Sequence, residues 1–512
     1  MIKFDNVTFS YGENSRPVLS NFSLLINSGE QIAIMGGNGS GKTTLGMLLC
    51  GILKPQCGTI SIDDNSGNGN HPGFGFLFQD PDNALVATTV EREVAFSLEN
   101  RNYPLPVMEK IVNRTIKDFD LDNLRERLVW NLSGGEKQRL SLAGVLAAGP
   151  QILFLDEPAS YLDYRGARKL DEILDEISGK NEKITVIRIT QYPTVADKYP
   201  RVVIIENGEV TKDDCPDKVF SDPDMLRRAG LRPPMKYLKP RDDIQAVKKS
   251  ENNIPCVDID NVSFSYDSGN SDVLNNLTLT INRGEVIGLA GESGSGKSTL
   301  AQLLCGIYGH KKGKITFRNK KGRAVMSFQQ PERQFFLDTV YDEVAYGIKD
   351  NIESIALLNE RVEDSLKLAG LKFDLFRNRD PHTLSGGEAR RLAFAIVLAL
   401  EYDMIIFDEP TCGLDENSIR NFSRMVKKLK SDNKAIIIIS HNGDVIGELA
   451  DRIALLDNGK IEYCGDALEF FKFSKYKEVL SPPEVISYQN NNYGSVLTSD
   501  ATAIFNLDRF SA

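Results

Sequence analysis

The stretch MGGNGSGKTTLGMLLCGI at residues 35–52 decides the fold, and it returns as AGESGSGKSTLAQLLCGI at residues 290–307. Each copy follows an apolar stretch and places glycines around a Gly-Lys-Thr or Gly-Lys-Ser triplet. Glycines let the backbone curl around a phosphate group, while the loop N–H groups and the following helix supply positive potential. Both copies are therefore predicted to be phosphate-binding loops that end in a helix.

The repeat extends over most of the chain. Three further pairs match in the same order: VTFSYG (7–12) with VSFSYD (262–267), LSGGEKQR (132–139) with LSGGEARR (384–391), and LFLDEP (153–158) with IIFDEP (405–410). Such a long repeat indicates two copies of one domain. The predicted boundaries are 1–236 for the first domain, 237–254 for a polar linker, 255–485 for the second domain, and 486–512 for a polar tail.

The composition excludes several classes of protein. Hydrophobic residues make up 41% of the 512 residues and charged residues 26%, an ordinary globular balance. The net charge of −10 disfavours general binding to nucleic acid, which depends on Lys and Arg neutralising phosphates. We find no apolar run of 18 or more residues that could cross a membrane and no secretory signal pattern, so a cytoplasmic location is expected.

Each half is predicted to be α/β. The runs QIAIM (31–35), ILFLD (152–156) and TVIRIT (185–190) are apolar and rich in β-branched residues, which is typical of buried parallel strands. Helical patterns lie between them, at residues 135–148 and 166–177. Strands that alternate with helices favour a largely parallel sheet covered on both faces.

The phosphate-binding loops predict the residues that hold ATP. Lys42 and Lys297 are expected to reach the β- and γ-phosphates, and the hydroxyls of Thr43 and Ser298 are expected to bind Mg²⁺. The full predicted set is Gly36, Asn38, Gly39, Gly41, Lys42, Thr43 and Thr44 in the first half, and Gly291, Ser293, Gly294, Gly296, Lys297, Ser298 and Thr299 in the second.

An acid pair follows a buried apolar run in each half, in ILFLDEP and MIIFDEP. Such a pair alone could merely cap a strand, but beside a phosphate-binding loop it has the form of a Walker B element. Asp156 and Asp408 are then expected to support Mg²⁺. The next residues, Glu157 and Glu409, stand where a general base could polarise the attacking water.

The LSGGE pentads lie between the loop and the acid pair in both halves, and with them the chain resembles the ATP-binding-cassette (ABC) ATPases. The resemblance implies two tandem P-loop domains, each with a mainly parallel sheet and a helical signature subdomain. In that family two such domains pair head to tail, with each ATP between the P-loop of one and the signature of the other. The implied signature residues, expected just before a helix, are Ser133, Gly135, Ser385 and Gly387.

The same resemblance assigns three further pairs of residues. It implies that Tyr11 and Tyr266 stack on adenine. It implies that Gln79 and Gln329 are Q-loop glutamines that sense Mg²⁺ and the attacking water. Finally, it implies that Asp163 and Asp415 are acids that connect the two sites.

One difference separates the halves. The family usually has a histidine after the strand that follows Walker B, where it contacts the γ-phosphate. The second half has His441 in IIIISHN, whereas the first half has Gln191 in VIRITQY, 250 residues earlier. Glutamine can hydrogen-bond a phosphate but cannot become cationic. Equal sites stay an alternative, but we expect the site with His441 to carry most of the turnover.

The segments after the Q-loop glutamines, at residues 78–100 and 328–350, resemble the energy-coupling-factor (ECF) ATPases of vitamin and transition-metal importers. One departure is Ala84, where the family usually has Gln, as the second half does at Gln334. The resemblance implies a peripheral ATPase at the cytoplasmic face of the membrane. Its implied partners are a membrane-embedded T-type scaffold subunit and a substrate-binding membrane subunit.

Two expectations follow for partners. Glu93 and Glu343 lie at matching positions of these segments, and we predict that they help to receive basic coupling helices of the membrane subunit, unless they only cap a local helix or face solvent on it. A soluble tandem ABC ATPase that acts on ribosomes or nucleic acid is the alternative function. No nucleic-acid partner is expected, because the chain is net acidic. The linker is also too short and mixed to be the long charged helical linker of that group.

Overall fold

The structure, a computed structural model, describes residues 1–12, 16–62, 73–160, 162–180, 184–237, 254–266, 272–318, 323–472 and 479–481. These residues divide into two compact units, of which the first ends at Tyr237. Most of the predicted linker and all of the predicted tail lie outside the described residues. Within the described ranges, no helix has the length and apolar character that a membrane span requires.

The strands of the first unit are short and mostly apolar. In chain order they are β1 (Ile2–Phe9), β2 (Leu19–Ile26), β3 (Gln31–Met35), β4 (Cys57–Ile62), β5 (Phe74–Leu77), β6 (Ile152–Asp156), β7 (Thr185–Ile189), β8 (Arg201–Glu206) and β9 (Glu209–Asp214). The helices are α1 (Lys42–Leu49), α2 (Val90–Glu99), α3 (Leu105–Asp118), α4 (Gly134–Ala147), α5 (Tyr164–Lys180), α6 (Pro193–Ala196), α7 (Pro216–Phe220) and α8 (Pro223–Arg228).

The second unit repeats this order of strands. Its strands are β10 (Pro255–Phe264), β11 (Leu274–Asn282), β12 (Val286–Ala290), β13 (Lys312–Phe317), β14 (Val325–Ser327), β15 (Met404–Asp408), β16 (Ala435–Ile439), β17 (Arg452–Asp457) and β18 (Lys460–Asp466). Its helices are α9 (Lys297–Leu304), α10 (Val340–Tyr346), α11 (Ile355–Leu368), α12 (Phe373–Phe376), α13 (Gly386–Ala399), α14 (Glu416–Ser431), α15 (Gly443–Leu449) and α16 (Ala467–Lys472).

The central sheets confirm the α/β prediction. The strands of the first unit run in the order β5-β6-β7-β3-β8-β9, and those of the second in the order β14-β15-β16-β12-β17-β18. All neighbours are parallel except the last hairpin of each sheet, β8 with β9 and β17 with β18. The parallel strands are buried along almost their whole length, as their continuous apolar runs predict.

Each unit also has a separate three-stranded antiparallel sheet, β2-β1-β4 in the first and β11-β10-β13 in the second. The sequence patterns do not predict these sheets. Their inner faces and α1 or α9 enclose a second hydrophobic core beneath the central sheet, while helices α2–α4 and α10–α13 pack together over the other core. These helices contain the signature motifs, so the predicted helical subdomain is present in both units.

Candidate active site

Sheet order brings the predicted site residues of each unit together. In the first unit β5, β6, β7 and β3 are parallel neighbours, so the residues after their carboxyl ends meet at one edge. These residues are Gln79, the pair Asp156 and Glu157, Gln191, and the loop at residues 36–43. In the second unit the residues at the same edge are Gln329, the pair Asp408 and Glu409, His441, and the loop at residues 291–298.

The phosphate-binding loops need glycine for two different reasons. Gly41 and Gly296 have φ angles of 100° and 106°, a left-handed conformation that disfavours other residues. Gly39 and Gly294 are also left-handed, but an added Cβ at either position would have no neighbour within 4 Å. The backbone of the loop therefore turns sharply at the last glycine, and the space beside the middle glycine, Gly39 or Gly294, is empty of neighbouring atoms of the described residues. This shape fits a group that approaches the backbone closely, as a phosphate does.

The loop lysines are buried and point into the curl of their own loop. Lys42 Nζ donates to the carbonyl oxygens of Gly36 and Gly37 at 2.9 and 2.8 Å. Lys297 Nζ donates to the carbonyl oxygens of Gly291 and Glu292 at 2.7 and 2.9 Å. Each loop therefore already orients its cation toward the space that a phosphate would take.

The loop hydroxyls lie beside the Walker B aspartates. Ser298 Oγ donates to Asp408 Oδ2 at 2.9 Å. Burial raises the pKa of Asp408, although the hydrogen bond from Ser298 and the nearby Lys297 oppose the shift. In the first unit burial raises the pKa of Asp156 to about 7, against a hydrogen bond from Thr43, and its Oδ2 has no hydrogen-bond partner among the described residues.

The hydroxyl and aspartate beside each phosphate-binding loop could bind Mg²⁺. Burial disfavours the charged form of each aspartate, a bound cation would stabilise that form, and Mg²⁺ prefers oxygen ligands together with phosphate oxygens. The hydroxyl of Ser298 and the carboxylate of Asp408 offer that oxygen pair in the second unit. Thr43 and Asp156 offer it in the first.

The two candidate bases share an uncommon backbone conformation. Glu157 and Glu409 have φ angles of 45° and 46°, in the left-handed region that non-glycine residues rarely adopt. Their backbone N–H groups bond to the carbonyl oxygens of Ile189 and Ile439, which end the neighbouring strands. The fold therefore holds each glutamate in a strained turn at the sheet edge, as is frequent at functional sites.

The Glu157 carboxylate receives hydrogen bonds from three side chains. Gln191 Nε2 donates to Oε1 at 2.6 Å. Gln79 Nε2 and Ser160 Oγ both donate to Oε2 at 3.2 Å. Gln191 also donates to Asn38 Oδ1 at 2.9 Å, so it connects the carboxylate with the phosphate-binding loop. Both oxygens of this candidate base are therefore engaged by the protein.

The Glu409 carboxylate receives fewer hydrogen bonds from the described residues than Glu157 does. Ser440 Oγ donates to Oε2 at 3.4 Å, and His441 Nε2 lies 3.6 Å from Oε1. Oε1 has no hydrogen-bond partner within the part of the chain that the structure describes. Burial and the adjacent Asp408 raise the pKa of Glu409 above its usual range. The two sites thus differ in more than the replacement of histidine by glutamine.

The tyrosines predicted to stack on adenine present open ring faces beside the loops. Tyr11 and Tyr266 are more than half exposed, and their hydroxyls lie 3.0 and 2.8 Å from the hydroxyls of Thr44 and Thr299. In the second unit Tyr308 packs edge-on against Tyr266, with the ring centroids 5.4 Å apart. Tyr308 was missed from the sequence because the first half has Leu53 at the matching position.

The signature motifs begin helices α4 and α13. Ser133 and Ser385 are the N-caps, and each forms a capping box with the glutamate three residues later. The prediction that Gly135 and Gly387 precede the helices is wrong, because each is the second residue of its helix. The expected partnership of each signature with the other half's ATP stays a prediction.

Two further sets of contacts escaped the sequence analysis. Arg390 of α13 donates to the carbonyl oxygens of Glu409 and Gln329, and so connects the signature helix with both catalytic segments. The first half has Gln138 at this position, which donates to Pro158 O at 3.1 Å. Asp163 and Asp415 cap the starts of α5 and α14 through their Oδ1 atoms. A connecting role for these acids is a prediction that such local bonds leave open.

The prediction that Glu93 and Glu343 receive a basic partner helix is wrong. Both are almost fully buried, at 7% and 3% exposure. Glu93 Oε2 accepts hydrogen bonds from the N–H groups of Val86 and Ala87 at 2.9 and 2.6 Å. Glu343 Oε1 accepts them from the N–H groups of Leu337 and Phe336 at 2.7 and 2.5 Å. Because the carboxylates hold the loop after the Q-loop, they are not presented to a partner. Ala84 leaves this arrangement unchanged in the first half.

We expect Glu343→Ala to destabilise the second unit by about 2 kcal/mol, because two partly buried N–H groups would lose a charged acceptor. Urea unfolding followed by circular dichroism measures the loss. Glu360→Ala, at an exposed position of α11, is the control and should shift the midpoint little. Equal stability of the two variants would show that Glu343 does not hold the loop.

Comparison with known proteins agrees on one family. The model described as "ABC transporter" matches residues 19–160 and 274–412. A "Putative ABC transporter ATP-binding protein" of Treponema denticola is 33% identical over 91% of this chain and 98% of its own length. A protein of the same description from Caldanaerobacter subterraneus is 30% identical over 95% of each chain.

Among solved structures, the archaeal ribosome recycling factor aABCE1, in complex with the ribosomal stalk protein aP1, matches with a TM-score of 0.62 and 22% identity. The match covers 90% of this chain and 89% of the other. At this identity the likeness shows the fold alone.

Proposed function

Because this chain belongs to the ABC transporter family and is an ATP-hydrolysing ATPase with two tandem ABC domains, we propose that it is the motor subunit of a transporter whose membrane subunits are separate chains. The relatives described as transporter ATP-binding proteins span nearly its whole length. ABC domains in general use ATP with Mg²⁺. In this chain Lys42 and Lys297 would bind the phosphates, and Asp156 and Asp408, with the neighbouring hydroxyls, would hold the metal.

The observation that carries the proposal is an exposed apolar feature at the same place in both units. The loop fixed by the buried glutamate presents Val86 in the first unit, 68% exposed, and Phe336 in the second, 62% exposed. In the second unit Tyr346 packs edge-on against Phe336, with the ring centroids 5.0 Å apart. Apolar side chains that partly buried hydrogen bonds hold in solvent are typical of surfaces that bind another protein.

The finer proposal is an ECF-type importer of a vitamin or a transition-metal ion. It rests on the resemblance of residues 78–100 and 328–350 to that class. The partners would be the T-type scaffold subunit and the substrate-binding membrane subunit, and the chain would lie at the cytoplasmic face of the membrane. The chemical identity of the cargo would then be determined by the substrate-binding subunit.

A soluble tandem ATPase that acts on ribosomes is the second candidate. The match to aABCE1 over 90% of this chain favours the same order of two domains along one polypeptide. The net charge of −10 weighs against an extensive phosphate-binding surface on ribosomal RNA. The experiment below separates the two candidates.

Affinity purification of the full chain from its native cells, after mild detergent extraction, tests the proposal. Recovery of a small membrane scaffold protein and a second membrane protein in fixed ratio is expected. Sucrose-gradient sedimentation of the same lysate provides the second readout. Cosedimentation with ribosomal particles, sensitive to ATP and without membrane proteins, would replace the transporter proposal by the ribosomal one.

We expect Val86→Asp combined with Phe336→Asp to reduce recovery of the membrane partners by more than tenfold. Each substitution would place a charge where an apolar anchor is buried in the complex, a loss of about 2 kcal/mol or more at an interface hot spot. Leu25→Asp, at an exposed apolar position on β2, is the matched control. Undiminished recovery of the partners with the double variant would exclude this surface.

A further inference from the structure

The short segment at residues 479–481 lies against the loop that carries His441. Leu480 is 1% exposed and belongs to the same hydrophobic cluster as Val445 and Ile446 of α15. This anchor places the next residue, Ser481, beside the start of α15. Ser481, which follows His441 by 40 residues in the chain, is therefore held next to this proposed catalytic histidine.

The Ser481 hydroxyl bridges both sides of that loop. It accepts a hydrogen bond from the Gly443 N–H at 2.9 Å and donates one to the His441 carbonyl oxygen at 3.2 Å. Between these two points Asn442 caps α15, and its own N–H bonds to Ser440 Oγ at 3.1 Å. The backbone that carries His441 is thus held on one side by Ser440, which contacts Glu409, and on the other by Ser481.

Gly443 makes this contact possible. A Cβ at position 443 would lie 1.6 Å from the carbonyl oxygen of Ser481, far inside any van der Waals distance. Gly443 is not among the residues of positive φ, so the backbone conformation itself would accept other residues. Glycine is required here because the segment that contains Ser481 approaches the helix start so closely.

The first unit cannot form the same contact. Its residue at the position of Gly443 is Pro193, the first residue of α6, and proline has no N–H to donate. The residue at the position of Ser481 is Arg232, in LRPP as against LSPP. The bridge therefore occurs in the unit that has a histidine, and its donor is missing from the unit that has Gln191.

We propose that Ser481 is a positioning residue for ATP hydrolysis, which holds the loop of His441 so that its imidazole stays beside Glu409 and the γ-phosphate. The inference rests on the proposed role of His441 in catalysis. Ser481 does not touch the reacting atoms. It acts through the backbone of residues 441–443, and removing its hydroxyl lets the imidazole move away from its productive place.

The test is steady-state ATP hydrolysis by the full chain with Ser481→Ala, His441→Ala and the double variant. Ser481→Ala is expected to lower kcat about tenfold with little change in KM, because a displaced catalytic group slows the chemical step more than it weakens binding. In the His441→Ala background the same substitution should have no further effect on kcat. Ser481→Thr, which keeps the hydroxyl, should restore kcat to within about twofold of the wild type.

The outcomes separate the inference from its premise. A loss of kcat with His441→Ala but not with Ser481→Ala would overturn the positioning role and leave the role of His441 intact. Additive losses in the double variant would also overturn it, because Ser481 would then act independently of the histidine. An unchanged kcat with His441→Ala would remove the premise itself. Arg232→Ala at the matching position of the first unit is the control and should leave kcat unchanged.

Discussion

Glu409→Gln is expected to remove most of the ATP turnover of the chain, by about 10²-fold or more at its own site, whereas Glu157→Gln should reduce total turnover less. A general base needs a carboxylate oxygen that can accept the proton of the attacking water. Oε1 of Glu409 has no hydrogen-bond partner among the described residues and lies 3.6 Å from His441 Nε2. In Glu157 both oxygens already accept hydrogen bonds from Gln79, Ser160 and Gln191.

Phosphate release at saturating Mg-ATP measures the difference, with Glu360→Gln on the surface of α11 as the control. Equal losses from the two catalytic variants would contradict unequal sites. An exchange sharpens the test, because Gln191→His with His441→Gln moves the imidazole to the first unit. If the histidine alone decides the asymmetry, the exchange should make Glu157 the more sensitive position. If the hydrogen bond from Ser160 to Glu157 also limits the first site, the exchange should lower ATP turnover at both sites.

Lys297→Ala is expected to abolish tight nucleotide binding in the second unit. The lysine is buried in the curl of its loop, and its ammonium group would exchange the carbonyl oxygens of Gly291 and Glu292 for phosphate oxygens. Loss of two charged hydrogen bonds to phosphate amounts to about 3 kcal/mol, or about 10²-fold in Kd. The open space beside Gly294 would remain, so the effect is expected on affinity rather than on the loop conformation.

Isothermal titration with Mg-ATP on the Glu157→Gln, Glu409→Gln background, where hydrolysis is suppressed, measures binding directly. Lys42→Ala is the matched variant in the first unit. Each single substitution should remove one of two nucleotides per chain, and the double substitution should remove both. Lys312→Ala on β13 is the exposed control. Two nucleotides bound with unchanged affinity by Lys297→Ala would rule out a phosphate-binding role for this lysine.

The features that can be predicted from the sequence are those in which a short segment determines its own geometry. The loop around Lys42 is specified by glycines within a few residues, and the apolar run that ends in Asp156 forms a buried strand wherever it lies in the sheet. Because the motifs repeat in the same order, the matching residues of the two halves can be identified from the sequence alone. These features depend on local backbone conformation and on hydrophobic periodicity, both of which are readable along the chain.

The role of Glu93 could not be read in that way. Its position in the pattern suggested an exposed carboxylate for a partner, but the loop from Val86 folds back so that two N–H groups point at it. A buried carboxylate and an exposed one have the same local sequence. Only the path of the neighbouring loop distinguishes them, because that path decides which polar groups would otherwise be left unsatisfied.

By itself the sequence determined the tandem repeat, the phosphate-binding loops, the acid pairs, and the difference between His441 and Gln191. The tertiary structure decided how these groups are engaged. It gave Glu157 three hydrogen-bond donors and left Oε1 of Glu409 without one among the described residues, and it brought Ser481 to the backbone of His441 from 40 residues away. The physical reason is that such contacts join residues far apart in the chain, and their partners are set by how strands and helices pack rather than by any local pattern.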